Sequence, residues 1–191
     1  MKLATKRLIL REITMKDAES LIENISNLNV SRYLLVVPSP YTLKNAKWWI
    51  NHCKEREKEK PRTSYNLHIQ LKPASENPGI IGGVGLSHID REQGTCNIGY
   101  WLGEQYWGRG IMTESATAMI DFAFQKLKLR RIRIPAFAVN NASNGLAKKL
   151  GFQYEGTLRK AGVAKSTGKI HDENIYGMLR EEWAGAKKRL R

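Results

Sequence analysis

A short glycine-bearing turn in the middle of the chain has the clearest potential for chemistry. The turn spans 106–110 (YWGRG) and separates a strand-like run at 97–103 from a helical run that begins at Ile111. One face of the helical run is marked by residues three and four apart: Ile111, Ser115, Ala118, Met119 and Phe122. A helix that starts this way presents unpaired backbone N–H groups, and its dipole adds partial positive charge. The pattern predicts a phosphate site, which Gly108 and Gly110 let a ligand approach closely.

The spacing of these glycines argues against two common classes of phosphate site. A dinucleotide-binding fingerprint requires a third glycine, and this chain has Thr113 at that position. The sequence also contains no GxxxxGK[ST] motif, which disfavours a nucleoside-triphosphate loop. Taken alone, the turn favours a packed strand–turn–helix in which the glycines serve only the backbone.

Three separated blocks of sequence resemble one known family. They are TKRLILREITMKDAE, NIGYWLGEQYWGRGIMTE and NNASNGLAKKLGFQYEGTLRKAG, in this order along the chain. Together they resemble the N-acetyltransferases of the GNAT superfamily, specifically the RimJ/RimL-type branch that acetylates the N-termini of ribosomal proteins. The resemblance implies an α/β (α+β) fold, the GNAT acyl-CoA N-acyltransferase fold, with a mixed, mostly antiparallel sheet of six to seven strands and about four helices. It also implies a V-shaped splay between the fourth and fifth strands, into which acetyl-CoA inserts.

The resemblance also assigns the acetyl-CoA contacts by position. The family's [QR]-x-x-G-x-[GA] turn falls on Trp107, Gly110 and Met112, and both outer positions depart from the general pattern, although Trp is usual at the first in this branch. The backbone expected to hold the pyrophosphate comprises Trp107, Gly108, Arg109, Gly110, Ile111, Met112 and Thr113, with a charged contact from Arg109. The residues expected to pair with the pantetheine arm are Trp101, Leu102, Gly103 and Asn140. Asn140 has an alternative role as a helix N-cap, and no metal site is expected.

The catalytic residues are less well marked than the cosubstrate turn. The resemblance gives Ser143 as the candidate acid for the departing thiolate, with helix capping as the alternative role. A Tyr that many members place four residues later is replaced by Ala147. Two carboxylates that serve as bases in relatives are replaced by Asn97 and Gly162. The remaining candidates are Glu155, Glu114 and the His171–Asp172 pair. A base that acts through water and a mechanism that needs no base also stay open.

The acceptor is predicted to be an amine, and the N-terminal α-amine of a protein such as a ribosomal protein is favoured. An α-amine has an ordinary pKa of about 7.7–8.0, whereas that of a lysine ε-amine is near 10.4, so the α-amine needs less help from a base. Two alternatives stay open: acetylation of a small amine (polyamine, amino sugar or aminoglycoside), and a non-catalytic basic module that binds the ribosome or nucleic acid. Trp48, Trp49 and Tyr33 are interpreted as core residues, with a role in an acceptor groove as the alternative. A homodimer is also considered.

The first half of the chain predicts the elements that lead into this region. A strand at Lys6–Ile13 precedes Thr14–Asp17, whose spacing is typical of a helix capping box. The segments expected to follow are a loop (Asn29–Tyr41), a helix (Leu43–Lys60), a strand (Tyr65–Leu71), a turn (Lys72–Pro78), a strand (Gly79–Leu86) and a hairpin closing into the strand at Asn97.

The second half predicts a strand, a helix and a closing hairpin. The strand, Ile132–Val139, contains Pro135, which cannot donate a ladder hydrogen bond, so this strand should lie at an edge or be splayed from a neighbour. A short helix with Leu146, Ala147 and Leu150 facing inward should end at Gly151. The last two strands are expected at Phe152–Leu158 and Asn174–Leu179.

Length and composition limit the number of domains and the class of protein that the chain can form. The 191 residues are enough for one domain, predicted at 1–183, followed by a frayed basic tail at 184–191. The net charge of +14 favours anionic partners such as nucleic acid or a phosphate-rich ligand. No apolar run is long enough for a membrane span, and Cys53 and Cys96 fit reduced, buried thiols. A cytoplasmic protein without a membrane partner is expected.

Overall fold

The computed structural model describes residues 1–73 and 79–190. Eight strands are present in this part of the chain: β1 (Lys2–Ala4), β2 (Leu8–Arg11), β3 (Tyr65–Leu71), β4 (Gly82–Asp90), β5 (Thr95–Leu102), β6 (Arg131–Phe137), β7 (Gln153–Val163) and β8 (Ile170–Leu179). The α-helices are α1 (Ala18–Ile25), α2 (Leu28–Ser31), α3 (Leu43–Lys58), α4 (Ile111–Asp121), α5 (Asn141–Lys149) and α6 (Arg180–Lys188). Two 3₁₀ turns lie at Met15–Asp17 and Glu104–Tyr106, and a π-helical turn at Phe122–Lys126 extends α4.

The strands form a single mixed sheet in the order β1-β2-β3-β4-β5-β6-β8-β7. Every neighbouring pair is antiparallel except β5 and β6, which are parallel. This exception follows from connectivity, because α4 crosses over between the two strands and returns the chain to the same end of the sheet. The predicted mixed, mostly antiparallel sheet is confirmed. The counts of strands and helices are somewhat higher than predicted.

The parallel pair separates soon after it forms. β5 and β6 pair over three positions, from Thr95 opposite Arg131 to Asn97 opposite Arg133. β6 then continues against β8 as far as Phe137, while β5 continues against β4 as far as Leu102. Pro135 lies just beyond the last pair with β5, where no ladder hydrogen bond is required of it. Of the two expectations for this strand, the splay is confirmed and the edge position is wrong.

Helices cover both faces of the sheet. One core cluster joins residues of α4, α5 and α6 to the sheet, including Met119, Ala147 and Trp183. A second cluster lies beneath α1 and α3 and includes Leu21 and Ile50. The splayed region is therefore bounded by helices on both sides.

Several predicted boundaries change in the structure. The expected loop at Asn29–Tyr41 begins within a short helix, α2, because Asn27 Oδ1 accepts a hydrogen bond from the Asn29 N–H and caps it. The closing hairpin is longer than predicted, since β7 continues to Val163 and β8 begins at Ile170. Within the expected turn at 72–78, residues 74–78 lie outside the described residues. The Thr14–Asp17 capping box is present, with Thr14 N–H donating to Asp17 Oδ2 at 2.8 Å.

The predicted frayed tail is wrong for the part of it that the structure describes. Residues 180–188 form α6, and Trp183 is only 4% exposed. The Trp183 Nε1–H donates to Asp121 Oδ1 at 2.8 Å, and Lys187 Nζ pairs with Asp121 Oδ2 at 2.5 Å. This helix is held against α4, the helix that begins at the glycine turn.

Replacing the buried indole tests this packing. Trp183→Ala removes a core side chain and leaves the Asp121 carboxylate without its indole donor, so the free energy of unfolding should fall by about 3–5 kcal/mol. Urea denaturation gives the measurement, and Lys188→Ala, an exposed position of the same helix, is the control. A loss no larger in Trp183→Ala than in Lys188→Ala would show that α6 does not pack as described.

Candidate active site

A cavity of about 990 Å³ opens where β5 and β6 separate. Its walls include Ile98–Leu102 of β5 and Ile134–Phe137 of β6, and residues of the glycine turn line one end. Because β6 no longer pairs with β5 here, one edge of each strand faces open space. This cavity thus coincides with the predicted V.

The glycine turn adopts a conformation that explains its composition. Gly108 and Gly110 have φ values of +74° and +71°, in the left-handed region that side chains with a Cβ rarely adopt. A Cβ on Gly108 would meet nothing within 4 Å, so backbone conformation rather than crowding by the protein requires glycine there. Gly110 is the N-cap of α4.

Backbone N–H groups gather at this turn without acceptors. Among the described residues, none accepts a hydrogen bond from the N–H groups of 108–113, and the first N–H of α4 with a partner is that of Glu114, which donates to Gly110 at 3.1 Å. The positive end of the α4 dipole reinforces them. This arrangement fits a diphosphate group, such as the pyrophosphate of acetyl-CoA. The Trp107 N–H is an exception, because it donates to Glu104.

Glu114 anchors the N-terminal end of α4 and is not available as a general base. Its carboxylate accepts from Thr5 Oγ1 at 2.5 Å, from the Arg7 N–H at 2.9 Å and from Arg7 Nε at 2.7 Å. Burial raises the pKa of Glu114, but these hydrogen bonds outweigh it and hold the pKa below its ordinary value. Arg7 also donates to the Arg109 carbonyl at 3.0 Å. The Arg109 guanidinium itself lies over the Tyr106 ring, 5.9 Å from its centre, and does not line the cavity.

Along β5, the backbone N–H and carbonyl groups of successive residues point alternately towards β4 and towards the opening. The Gly103 N–H donates to Ile81 at 2.9 Å, and the Trp101 carbonyl also points towards β4. The Gly103 N–H and the Trp101 carbonyl are therefore directed towards β4 and away from the opening. By the same alternation, Ile98, Tyr100 and Leu102 face the opening. The Leu102 carbonyl already accepts a hydrogen bond from Trp107 Nε1 at 2.8 Å, so only the N–H of Leu102 is open to a ligand.

Ser143 and Tyr100 form a hydroxyl pair in the cavity wall. Tyr100 Oη lies 3.1 Å from Ser143 Oγ. Asn140 caps α5, because its Oδ1 accepts from the Ser143 N–H at 3.1 Å, so the alternative role predicted for Asn140 is confirmed. Burial raises the pKa of Tyr100 to about 12. Its hydroxyl therefore stays protonated at neutral pH and can donate a proton.

The other predicted base candidates are engaged elsewhere. Glu155 forms an ion pair with Arg131 and does not line the cavity. Asp172 Oδ1 accepts from the Lys160 N–H at 2.8 Å, and the His171 ring packs against Phe137 with 4.8 Å between ring centres. The structure does not bring these candidates to the Ser143 hydroxyl.

Two polar residues of the cavity escaped the sequence analysis. Tyr100 carries a weak signal, because it shares one face of β5 with the apolar residues Ile98 and Leu102. Glu173 lines the cavity from β8, and its immediate sequence, His-Asp-Glu-Asn, does not distinguish it from its polar neighbours. Both are recognisable only once the strands are placed.

The side of the cavity next to α3 is rich in aromatic and apolar groups. Tyr33, Trp48 and Trp49 all line it. Trp48 is 64% exposed and its ring stacks on His52, so a core role is wrong for this residue. Trp49 is half-buried and donates through Nε1 to His68 Nε2 at 3.2 Å. The exposed side chains suit contact with a second molecule.

Comparison with known proteins agrees with this geometry. A family model described as an acetyltransferase (GNAT) domain matches residues 7–153. The chain belongs to the GNAT family. It is 32% identical to an uncharacterised N-acetyltransferase, p20, of Bacillus licheniformis, over 96% of this chain and 98% of the relative. It is 33% identical to the ribosomal-protein-serine acetyltransferase of Escherichia coli (strain K12), over 52% of this chain and 55% of that enzyme.

A solved structure extends the comparison to the fold. The crystal structure of the microcin C7 self-immunity acetyltransferase MccE, in complex with acetyl-CoA and AMP, superposes with a TM-score of 0.79 at 26% identity. The match covers 92% of this chain and 93% of that one. This GNAT protein is accordingly an N-acetyltransferase with acetyl-CoA as its cosubstrate. None of the helices in the described part is long and apolar enough to cross a membrane.

A substitution in the first turn of α4 separates cosubstrate binding from stability. Thr113→Asp adds a carboxylate where negative charge stabilises a helix by about 0.3–1 kcal/mol. The same charge should repel a bound diphosphate by roughly 1–4 kcal/mol at ~4 Å, which weakens CoA binding about fivefold or more. Calorimetric titration with CoA gives the affinity, and Thr113→Asn is the neutral, isosteric control. Equal affinity in the two variants would contradict the placement of the pyrophosphate at this turn.

Proposed function

We propose that this enzyme acetylates the N-terminal α-amine of a protein, with a ribosomal protein as the favoured acceptor class. The charge of the cavity is the observation that carries this proposal. Among the described residues that line it, Glu173 is the single acidic residue, whereas Arg32, Lys149 and Lys165 are basic. A polyamine or an aminoglycoside carries several positive charges and would require several carboxylates. A peptide N-terminus carries a single positive charge at its amine.

The apolar side of the cavity supports a peptide acceptor. Leu35, Val36 and Trp48 line it and are largely exposed to solvent, although their side chains are apolar or aromatic. Side chains of this kind provide contact area for the first residues of a polypeptide. The likeness to a ribosomal-protein-serine acetyltransferase points to the same class of acceptor.

The residues around the opening have separable proposed roles. The N–H groups of 108–113 hold the pyrophosphate, and the open edge of β5 at Ile98, Tyr100 and Leu102 pairs with the pantetheine arm. Asn140 remains a proposed contact of that arm. When bound, acetyl-CoA supplies a thioester whose carbonyl carbon is attacked by the amine. The protonated Tyr100 hydroxyl, held by Ser143, gives a proton to the departing sulfur.

The proposal also gives the enzyme a cellular setting. Ribosomal proteins are made in the cytoplasm, and we place the enzyme there. A net charge of +14 suits work beside the phosphates of ribosomal RNA.

A panel of acceptors tests the proposal. It contains a lysine-free peptide with a free N-terminus, the same peptide with a blocked N-terminus and one internal lysine, a polyamine and an aminoglycoside. At pH 7.5 the free α-amine should react roughly 10²-fold faster than the lysine, because a far larger fraction of it is neutral. Release of free CoA thiol measures the rate. Preference for the polyamine or the aminoglycoside would overturn the proposal, as would CoA binding without transfer to any protein N-terminus.

The proposed acid is tested by removing one hydroxyl. Tyr100→Phe keeps the ring in the wall but removes the proton donor, and kcat should fall by about 10²-fold or more. The affinity for CoA should not change, since the backbone of β5 is intact. Tyr65→Phe, on β3, is the matched control because its ring packs against Phe122 instead of Ser143. An unchanged kcat in Tyr100→Phe would exclude Tyr100 as the acid.

A further inference from the structure

Glu173 occupies a distinctive position on β8. It lies directly opposite Phe137 of β6 and Leu158 of β7 in the two antiparallel ladders. Residues opposite one another share a face of the sheet, so Glu173 stands beside Phe137 in the cavity wall. The next residue, Asn174, turns to the opposite face and donates to Asn144 Oδ1 of α5 at 2.7 Å. Glu173 therefore faces away from α5.

The carboxylate of Glu173 has no partner among the described residues. It accepts no hydrogen bond and forms no ion pair there, in contrast to Glu114 and Asp172, whose carboxylates accept hydrogen bonds, and Glu155, which pairs with Arg131. It is nevertheless partly buried, and this burial alone raises its pKa above the ordinary value. A desolvated carboxylate without a partner is free to accept a proton from a bound molecule.

The neighbouring strand explains why β8 supplies this carboxylate. At Gly162 of β7 a Cβ would lie 2.5 Å from Phe137 Cε1 and 3.0 Å from Leu35 Cδ2. An acidic side chain at Gly162 would collide with that ring. Gly162 pairs with His171, two residues before Glu173 on β8. Glu173, opposite Phe137 on the adjacent strand, lines the cavity instead.

We propose that Glu173 is the general base that deprotonates the acceptor amine. The acceptor enters as an ammonium ion and transfers one proton to a Glu173 carboxylate oxygen, which later releases it to solvent. The neutral nitrogen then forms a bond to the acetyl carbon as the bond from carbon to sulfur breaks. Tyr100 gives its proton to the departing sulfur, and the second proton lost by nitrogen returns to the Tyr100 oxygen, which restores the enzyme. This inference rests on the proposed transfer to an amine in this cavity, whichever amine it is.

The test depends on how the effect of Glu173→Gln changes with pH. At pH 7 only roughly a tenth of an α-amine is neutral, so loss of the base should reduce kcat/KM by about tenfold. As the pH rises beyond the ordinary α-amine pKa of about 7.7–8.0, the amine becomes neutral without help, and the deficit should shrink. A purely structural defect would give the same deficit at every pH. A constant deficit, or none at pH 7, would overturn the inference.

Other ionisable groups must be taken into account in this comparison. The ionisable groups that line the cavity with Glu173 are Arg32, Tyr33, Tyr41, His68, His88, Tyr100, Tyr106, Lys149 and Lys165. The strands β6, β7 and β8 add Arg131, Arg133, Tyr154, Glu155, Arg159, Lys160, His171, Asp172 and Tyr176. Because the wild type and Glu173→Gln both carry these groups, their titration affects both rates alike. It therefore drops out of the ratio of the two rates. Glu181→Gln, at an exposed position of α6, is the matched control and should keep the wild-type profile.

Two further measurements separate the causes of failure. Glu173→Gln should unfold at the wild-type temperature or above it, because a carboxylate whose pKa is raised on folding destabilises the folded state above that pKa. Its affinity for CoA should also match the wild type. If wild type acetylates no acceptor in the panel, the proposed function fails. If wild type is active and Glu173→Gln equals it at pH 7, only the role of Glu173 fails.

Discussion

The separation of β5 from β6 is the feature on which the rest of the site depends. Three paired positions hold the two strands together, and beyond Asn97 and Arg133 each strand is paired only on its other side. The full-length pairing of β6 with β8 keeps β6 straight after it leaves β5. Unpaired backbone groups at such an opening are costly unless they find partners. A ligand with its own amide groups is a suitable partner, and the pantetheine arm has them.

The crossover that makes the pair parallel also supplies the anion site. A parallel connection requires a long return path, and α4 is that path. Its N-terminus therefore begins beside the end of β5, at the mouth of the opening. Hydrogen bonds from Thr5 and Arg7 to Glu114 secure this end of α4, and Trp183 contacts Asp121 at its other end. The free N–H groups are thus fixed in direction before any ligand arrives, which reduces the entropic cost of binding.

Local patterns predicted the elements but not the contacts between them. Tyr65–Leu71 and the glycine turn were predictable because alternation and helix-start signals depend on neighbouring residues. The helix α6 was missed because its last residues are mostly basic, and the inward pair Trp183 and Ala186 is short for a helical pattern. The Tyr100–Ser143 pair joins residues 43 positions apart, so no local signal contains it. The backbone direction of Gly103 likewise depends on which strand becomes the neighbour of β5.

Glu173 illustrates how a site can be maintained at the expense of stability. A partly buried carboxylate without a donor is disfavoured in the folded state, and Glu114, Glu155 and Asp172 instead have a cation or an N–H group beside them. The same absence of a donor leaves the lone pairs open to an incoming ammonium ion. Arg or Lys in contact with Glu173 would stabilise the fold, but it would also lower the basicity of the carboxylate and repel the acceptor. The isolation of this carboxylate is therefore the physical property that fits it to accept a proton from an amine.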